Sequence, residues 1–455
     1  MGQEDKQYTR MTQTPIYKLI PSLAVPTIIS MLTTAVYNIA DTYFVSKLGT
    51  SASGAVGIVF SLMAIIQAVG FTIGMGSGSY ISRLLGKKEQ KLADRIGSCA
   101  VFNGLVMGVL IAAVGLIFTE PIIRLIGATD TIVPYAVEYA RYIFLASPVM
   151  ILCFVLNNLL RAQGKAKSSM VGILAGGLLN IALDPLLIFV FDTGIRGAAI
   201  ATAVSQVISM VILFIPFIRK KTVLHVTVKN ISAKIGIYWD ILKFGLPSLF
   251  RQGLASVAAI LLNRSAAAYG DSAVAAMSIV AKIFMVIFSV LIGFGQGYQP
   301  VVGYNYGAKI YHRVREVFWF TLKVGTVVMT VFGVAAWLLS PTLMRAFLSD
   351  DAKVVEIGTM ALRMQCVATP FLTLGVVSNM TLQAVGKTVS ATILTSTRQG
   401  IFFIPLILIL PGMLGITGVE ITQPIADLMT FVFCIPYMYV FLKRLKRAEE
   451  KQTEN

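Results

Sequence analysis

Apolar residues in this chain neither alternate nor keep to one helical face; they fill whole stretches. Twelve such stretches recur, at about 16–46, 53–82, 96–118, 134–160, 168–190, 195–217, 239–268, 276–303, 317–340, 359–384, 390–411 and 417–442. Each is long enough to cross a hydrocarbon core of ~30 Å at about 1.5 Å per residue. Inside hydrocarbon a backbone must satisfy its own hydrogen bonds, so the stretches predict helices rather than open strands. Several exceed the necessary length, which predicts tilt, kinks or ends projecting into water. The pattern therefore predicts an all-α integral membrane protein with twelve transmembrane helices.

The polar breaks differ in charge from one membrane side to the other. One side collects Lys6, Arg10, Lys18, Arg83, Lys87, Lys88, Arg161, Lys165, Lys309, Arg313, Lys387 and the run from Lys443 to Lys451. The other offers little beyond Lys47, Arg124, Arg196, Arg264, Arg345 and Lys353. This bias, about fourfold, places both termini in the cytoplasm and agrees with an even number of helices. The cell (inner or plasma) membrane is the expected location. The opening MGQEDKQYTRMTQTP is polar and shows no cleavable signal pattern, so the first apolar helix is expected to direct insertion.

The longest break on the cytoplasmic side falls at the midpoint. It predicts an N-lobe over 1–217, a cytoplasmic linker over 218–238, a C-lobe over 239–442 and a basic tail over 443–455. A shift of about 221 residues lays the first half on the second. Pro26 then meets Pro247, Gly49 meets Gly270, and Gly74, Gly76, Gly86 and Lys88 meet Gly295, Gly297, Gly307 and Lys309. One residue further on, Asn157, Gly164 and Lys165 meet Asn379, Gly386 and Lys387, and Gly194 meets Gly415 at the original shift. One match would be chance packing of Gly and Pro; five blocks in one order indicate duplication. With six helices each, the halves point the same way through the membrane. That predicts two six-helix bundles related by a pseudo-two-fold axis along the membrane normal, an arrangement suited to alternating access.

Composition narrows the class. Of 455 residues, 56% are hydrophobic and 13% charged, about half the roughly 25% charge of soluble domains. A soluble enzyme and a disordered chain are excluded. The net charge of +17 sits in loops of one membrane side, so no nucleic-acid partner is expected. Cys99, Cys153, Cys366 and Cys434 lie in apolar stretches without metal or redox spacing and read as packing residues. His225 and His312 fall in loops. No GxSG, HExxH or DDxxD motif is present, and GFTIGMGSGSYISRLLG at 70–86 lacks the ending of a P-loop. Neither an enzyme nor ATP-driven transport is indicated, and no cofactor is expected.

Ionisable residues at membrane depth are costly and mark function. Asp41 lies near the outer end of the first helix and Asp184 near the outer end of the fifth, at similar depth, with Thr202 and Tyr139 near that level. Tyr37 and Asp41 are four residues apart, as are Asn180 and Asp184, so each pair shares a helix face. Two carboxylates in a low-dielectric pocket cannot both stay charged cheaply; a proton or a sodium ion held by their oxygens resolves the conflict. Capping of frayed, wet helix ends is the simpler alternative for both acids. Pro26 and Pro185 lack an N–H, which predicts kinks, and Pro247 repeats Pro26. In the second half Leu262 and Leu406 replace the acids, and Arg251, Arg398 and Asp427 reach mid-depth instead, with Gln252 and Gln399 beside the arginines and Glu420 two turns outward of Asp427. These residues, with pliable side chains such as Met31, are candidates for a substrate cavity. An internal Arg398–Asp427 salt bridge that only locks the lobe is an equal reading.

YNIADTYFVSKLG at 37–49, LLRAQGKAKSSM at 159–170 and NIALDPLLIF at 180–189, together with the duplicated halves, resemble the multidrug and toxic compound extrusion (MATE) family over essentially the whole chain. The resemblance implies an antiporter that expels organic, lipophilic and cationic compounds in exchange for protons or sodium. It further implies that Tyr37, Asp41, Tyr139, Asn157, Asn180, Asp184 and Thr202 line an ion site in the first half. The tenth helix carries no acid, so the sequence is closer to the DinF-like or MepA-like branches than to the NorM-like branch, which places carboxylates on the seventh and tenth helices. A monomer bearing one small-molecule cleft, surrounded by membrane lipid, is expected. The rival reading is a flippase for a lipid-linked or phosphate-bearing substrate, which Arg251 and Arg398 would serve.

Overall fold

A computed structural model describes residues 2–347 and 351–454 of the chain. Twelve helical spans long and apolar enough to cross a membrane are present, built from α2 (Ile16–Ser46), α3 (Thr50–Gly86), α4 (Gln90–Ile117), α6 (Val133–Ala162), α7 (Ala166–Pro185), α8 (Ile195–Ile218), α9 (Ile235–Ala267), α10 (Asp271–Gly307), α11 (Tyr311–Phe347), α12 with α13 (Ala352–Ala368 and Leu372–Ala384), α14 with α15 (Thr388–Ser396 and Phe403–Leu414) and α16 (Ile416–Thr453). Two short helices lie outside the spans: α1 (Gln3–Gln13) before the first and α5 (Thr119–Leu125) after α4. Among the described residues there is no strand. The spans outrun the apolar stretches that predict them. Polar residues stop hydropathy before they stop a helix, so α10 continues through Tyr304, Asn305 and Tyr306, and α16 through the basic tail.

The duplication is written into the backbone. α3 ends at Gly86 and α10 at Gly307, and the same 221 residues separate their ends. Positive φ recurs at matching places: Gly49 (110°) and Gly270 (96°), Lys88 (61°) and Lys309 (60°), Gly164 (72°) and Gly386 (82°), Gly194 (56°) and Gly415 (64°). A lysine in the left-handed region is disfavoured by its Cβ. Two of them at equivalent turns mean that the turn itself has been inherited twice.

Both described chain ends lie at one end of the helix bundle, here the terminal face: Asn305 near the end of α10 bonds Met11, and Arg315 near the start of α11 bonds Glu449 at 2.9 Å. Contacts between the halves lie at mid-membrane or nearer to this face. Thr27 Oγ1 donates to the Gly293 carbonyl at 2.6 Å, Gln299 Nε2 to Ser79 Oγ at 3.0 Å, and Arg83 Nη1 to the Val385 carbonyl at 3.2 Å. Gly76 and Gly245 let α3 and α9 touch backbone to backbone; a methyl group on either would run into a carbonyl of the other helix. One hydrophobic core accordingly runs through the first half into the terminal-face ends of α10, α11 and α13, around Tyr298, Phe318 and Val377. The far end of the second half has a core of its own around Met277, Met329 and Leu362. The cleft between the halves is thus sealed at the terminal face.

Two segments brace that seal. In α1, Met11 is fully buried, Asn305 Nδ2 donates to its carbonyl at 3.1 Å, Arg313 donates to the Thr14 carbonyl just beyond the helix, and Gln3 Nε2 reaches the Lys221 carbonyl at 2.7 Å. Burial, and then the charges of Arg10 and Lys221, hold the Lys165 ammonium below the usual lysine range. The connection over 219–234 packs on α4, where Asp94 accepts from His225 N at 2.9 Å and Ser98 from Thr227 N at 3.1 Å. All four cysteines are buried and free.

Candidate functional site

Asp41 and Asp184 come together because α2 and α7 can approach closely. Gly177 faces Thr33 and Tyr37 of α2, and a Cβ there would sit 2.6 Å from Thr33 Cγ2. Asp41 and Asp184 are 4% and 0% exposed and lie within electrostatic range of each other and of Tyr139. Asn180 Nδ2 donates to Asp184 Oδ1 at 3.3 Å and to Thr202 Oγ1 on α8 at 3.4 Å. Tyr37, Asn180 and Thr202 line a small cavity of about 30 Å³ with Cys153, Ser205 and Gln206. After Asp184, Pro185 supplies no N–H, and the chain widens into a π turn over Leu186–Val190.

The pocket is rich in acceptors and short of donors. Asp41 Oδ1, Asn180 Oδ1 and Asp184 Oδ2 are buried without a hydrogen bond, and so is the Tyr139 hydroxyl. Buried polar atoms are ordinarily satisfied, so three orphaned oxygens in one place call for a missing positive partner. A proton or a small hard cation fits that donor set. Frayed, wet caps do not describe side chains this deeply buried. No hydrogen bond joins Tyr37 to Asp41 among the described residues. Asn157 is buried but lines neither cavity described here; its neighbour Asn158 holds Arg161 instead. The chain runs helical through Pro26 and Pro247; beside Pro26, the Thr27 hydroxyl oxygen, whose one proton goes to the Gly293 carbonyl, also lies 3.0 and 2.8 Å from the Leu23 and Ala24 carbonyls.

The second half holds a cavity of about 120 Å³ lined by Arg251, Gln252, Phe288, Arg398, Gln399 and Asp427, among others. Arg398 Nε donates to Asp427 Oδ1 at 2.7 Å, and Gln365 and Gln423 donate to the same carboxylate at 2.7 and 2.8 Å. The Arg398 guanidinium lies 4.5 Å from the Phe288 ring centroid. Gln252 Nε2 reaches Gln67 Oε1 across the cleft at 3.4 Å, while Gln399 Oε1 is buried without a partner. Glu420 and Met31 lie outside this cavity: Glu420 is buried within electrostatic range of Glu356, and Met31 is half-buried on α2. A further hollow of about 740 Å³ is an apolar groove between α11, α13 and α16, away from both sites.

Gln365 and Gln423, which complete the shell around Asp427, carry no charge, so a search for ionisable residues passes them by. Arg161, expected among the loop charges, is instead a buried helical residue. It lies inside α6, 4% exposed, donating to Gln296 across the cleft and to Asn158 Oδ1 at 2.6 Å. The signal available was its place directly after the apolar run 134–160, with no break before it; its partner Gln296 belongs to GQGYQP at 295–300.

Twelve spans in two repeated halves around a polar cleft define a multi-pass membrane protein of the transporter class, not an enzyme. The MatE family model matches residues 26–186 and 247–409, one stretch in each half, and the chain belongs to this family. It is 29% identical over 443 residues to the multidrug export protein MepA of Staphylococcus saprophyticus, covering 97% of this chain and 98% of that one. The same identity and coverage relate it to MepA of Staphylococcus aureus strain MRSA252, which fits the MepA-like branch. A crystal structure of MATE in complex with MaL6 superposes with a TM-score of 0.93 at 26% identity, over 97% of this chain and 99% of that one.

Proposed function

We propose that the protein is a secondary antiporter that exports organic, lipophilic and mainly cationic compounds in exchange for protons or sodium. The observation that carries this reading is the buried, under-paired carboxylate pocket of Asp41, Asp184 and Asn180. Relatives named multidrug export proteins, alike over almost their whole length, support the direction and breadth of transport. The lobes are 1–217 and 239–442, joined by 218–238, with 443–455 as a basic tail at the cytoplasmic surface of the cell membrane. One protomer suffices, because ion pocket and cleft lie in a single chain.

The cleft sealed at the terminal face, taken as cytoplasmic, corresponds to the outward-facing state. The ion then enters from outside and settles between Asp41, Asp184, Asn180 and Thr202, with Tyr37 and Tyr139 walling the pocket. Neutralising the pair lets α2 repack around Pro26 and α7 around Pro185, which weakens the grip on substrate. After release, the inward-facing form gives up the ion and takes a new substrate. The coupling ion is the only non-protein group required. The test is efflux of a fluorescent lipophilic cation from proteoliposomes under a pH gradient or a sodium gradient alone. Transport driven by one gradient and lost in Asp41→Asn is the expected result; unaltered efflux by that variant removes Asp41 from the mechanism. A second reading, a flippase for a lipid-linked or phosphate-bearing substrate, draws on Arg251, which contacts no acid among the described residues.

A further inference from the structure

Where the halves meet, the structure carries positive charge with no carboxylate paired to it among the described residues. Arg251 on α9 crosses to α3, where Nη2 lies 3.6 Å from Met75 Sδ and the guanidinium carbon 5.8 Å from the Phe71 ring centroid. A thioether and a ring face are weak substitutes for the water a guanidinium gives up. Arg161, which lines a small cavity with Met75, is held among the described residues by the amide oxygens of Asn158 and Gln296, and Gln296 Nε2 is buried there without an acceptor. Asp427, the carboxylate of the adjoining cavity, is already engaged by Arg398, Gln365 and Gln423. Asp41 and Asp184 sit in the separate pocket of the first half.

We infer that this position is an anion-recognition site, and that the compounds the transporter prefers carry a carboxylate, sulfonate or phosphate on an apolar or aromatic body. Arg251 lines the C-half cavity and is partly exposed, whereas Arg161 is closed off beneath it by its bond to Gln296. Arg251 therefore meets the anionic group in the present state. Opening of the terminal face parts Arg161 from Gln296 and offers a second guanidinium to the other side. Apolar surface for the body of the molecule is at hand in Phe71, Phe288 and Met380. A zwitterion satisfies this site while also bearing a cationic centre, so the inference rests on the antiporter reading and narrows its substrate class.

The test is equilibrium binding of dansyl-labelled undecanoate and of its primary amide to the full-length protein in phosphatidylcholine nanodiscs, with empty discs subtracted. Loss of a charge-assisted hydrogen bond is worth roughly tenfold in affinity or more. The wild type is expected to favour the carboxylate by about that factor, and Arg251→Gln to erase the preference. Equal affinity for acid and amide in the wild type overturns the inference, and that comparison decides even if Arg251→Gln does not fold. Displacement by phosphatidylglycerol placed in the disc assigns the site to a lipid head group, displacement by inorganic phosphate to a free anion, and displacement by neither to a soluble amphiphile; each requires the same anion site. Ion coupling is read separately, from Asp41→Asn in the gradient assay, so failure of coupling and lack of a carboxylate preference are distinct results.

Discussion

Asn180 is the residue on which the proposed ion pocket turns. Its side-chain nitrogen bridges Asp184 and Thr202, while its oxygen, like Asp41 Oδ1 and Asp184 Oδ2, is buried without a hydrogen bond. Asn180→Ala removes a ligand and the group that orients Asp184 together. The expected outcome is a loss of about tenfold or more in apparent affinity for the coupling ion, as for other residues that position ligands, read from the ion dependence of transport with the folded yield unchanged. Asp427 behaves differently, because three donors surround it. Arg398→Gln leaves a buried carboxylate without its counter-charge and is expected to cost about 3–5 kcal/mol. Arg398→Met with Asp427→Leu should return close to wild-type stability, since both charges leave together. Thermal unfolding of the three proteins checks this; a double variant no more stable than the single one would show that the charges do more than pair.

At the scale of elements, each helix end reports what a sequence can reveal and what it cannot. The twelve spans were legible because hydropathy integrates over a whole membrane crossing, and the repeat because glycines and prolines mark turns that only they fill well. α1 was not legible: its residues are mostly polar, and it is fixed by contacts far along the chain, with Gly164, Lys221 and Asn305 among them. Nor was the break between α12 and α13, where Thr369–Phe371 tightens into a 3₁₀ turn inside one apolar run. In the ion pocket, helical spacing placed Asn180 beside Asp184, but Tyr37 and Asp41 share a face without a hydrogen bond. Spacing fixes a face, not a rotamer.

Gly76 and Gly245 give the helix seam a direct test. Alanine at either position pushes α3 from α9 at the terminal face, which disfavours the sealed state. Cysteines placed in the cleft should then label faster from the terminal face; unchanged labelling would mean that the seam adapts. The start of α12 supplies a pH test outside the membrane spans. Asp351 accepts from Ser272 Oγ at 2.9 Å and from the Val354 and Lys353 amides, and these bonds, Ser272 foremost, hold its carboxyl below the usual aspartate range. A carboxylate lowered on folding contributes stability at neutral pH and withdraws it as pH falls through the lowered value. Protection of the Lys353 and Val354 amides, taken relative to the intrinsic exchange rate at each pH, should therefore fall under acid in the wild type, and already at neutral pH in Asp351→Ala. Protection independent of pH would deny Asp351 a capping role.

For the molecule as a whole, two halves of common origin carry different polar groups. The first keeps two acids beside an amide; the second has leucines at the matching positions and arginines elsewhere. On the proposed antiporter reading, the division separates an ion pocket from a cleft, and the seal between the halves is what links them. A device of this kind works only if occupancy of the pocket changes affinity in the cleft, and linkage makes the effect mutual. The direct measurement is ethidium binding to the purified protein, by fluorescence polarisation, across a series of pH values at fixed sodium and of sodium concentrations at fixed pH. We predict that affinity falls as one of the two ions is raised, and that Asp41→Asn and Asp184→Asn abolish this dependence. Wild-type affinity indifferent to both ions, or a dependence that survives in both variants, would contradict the account.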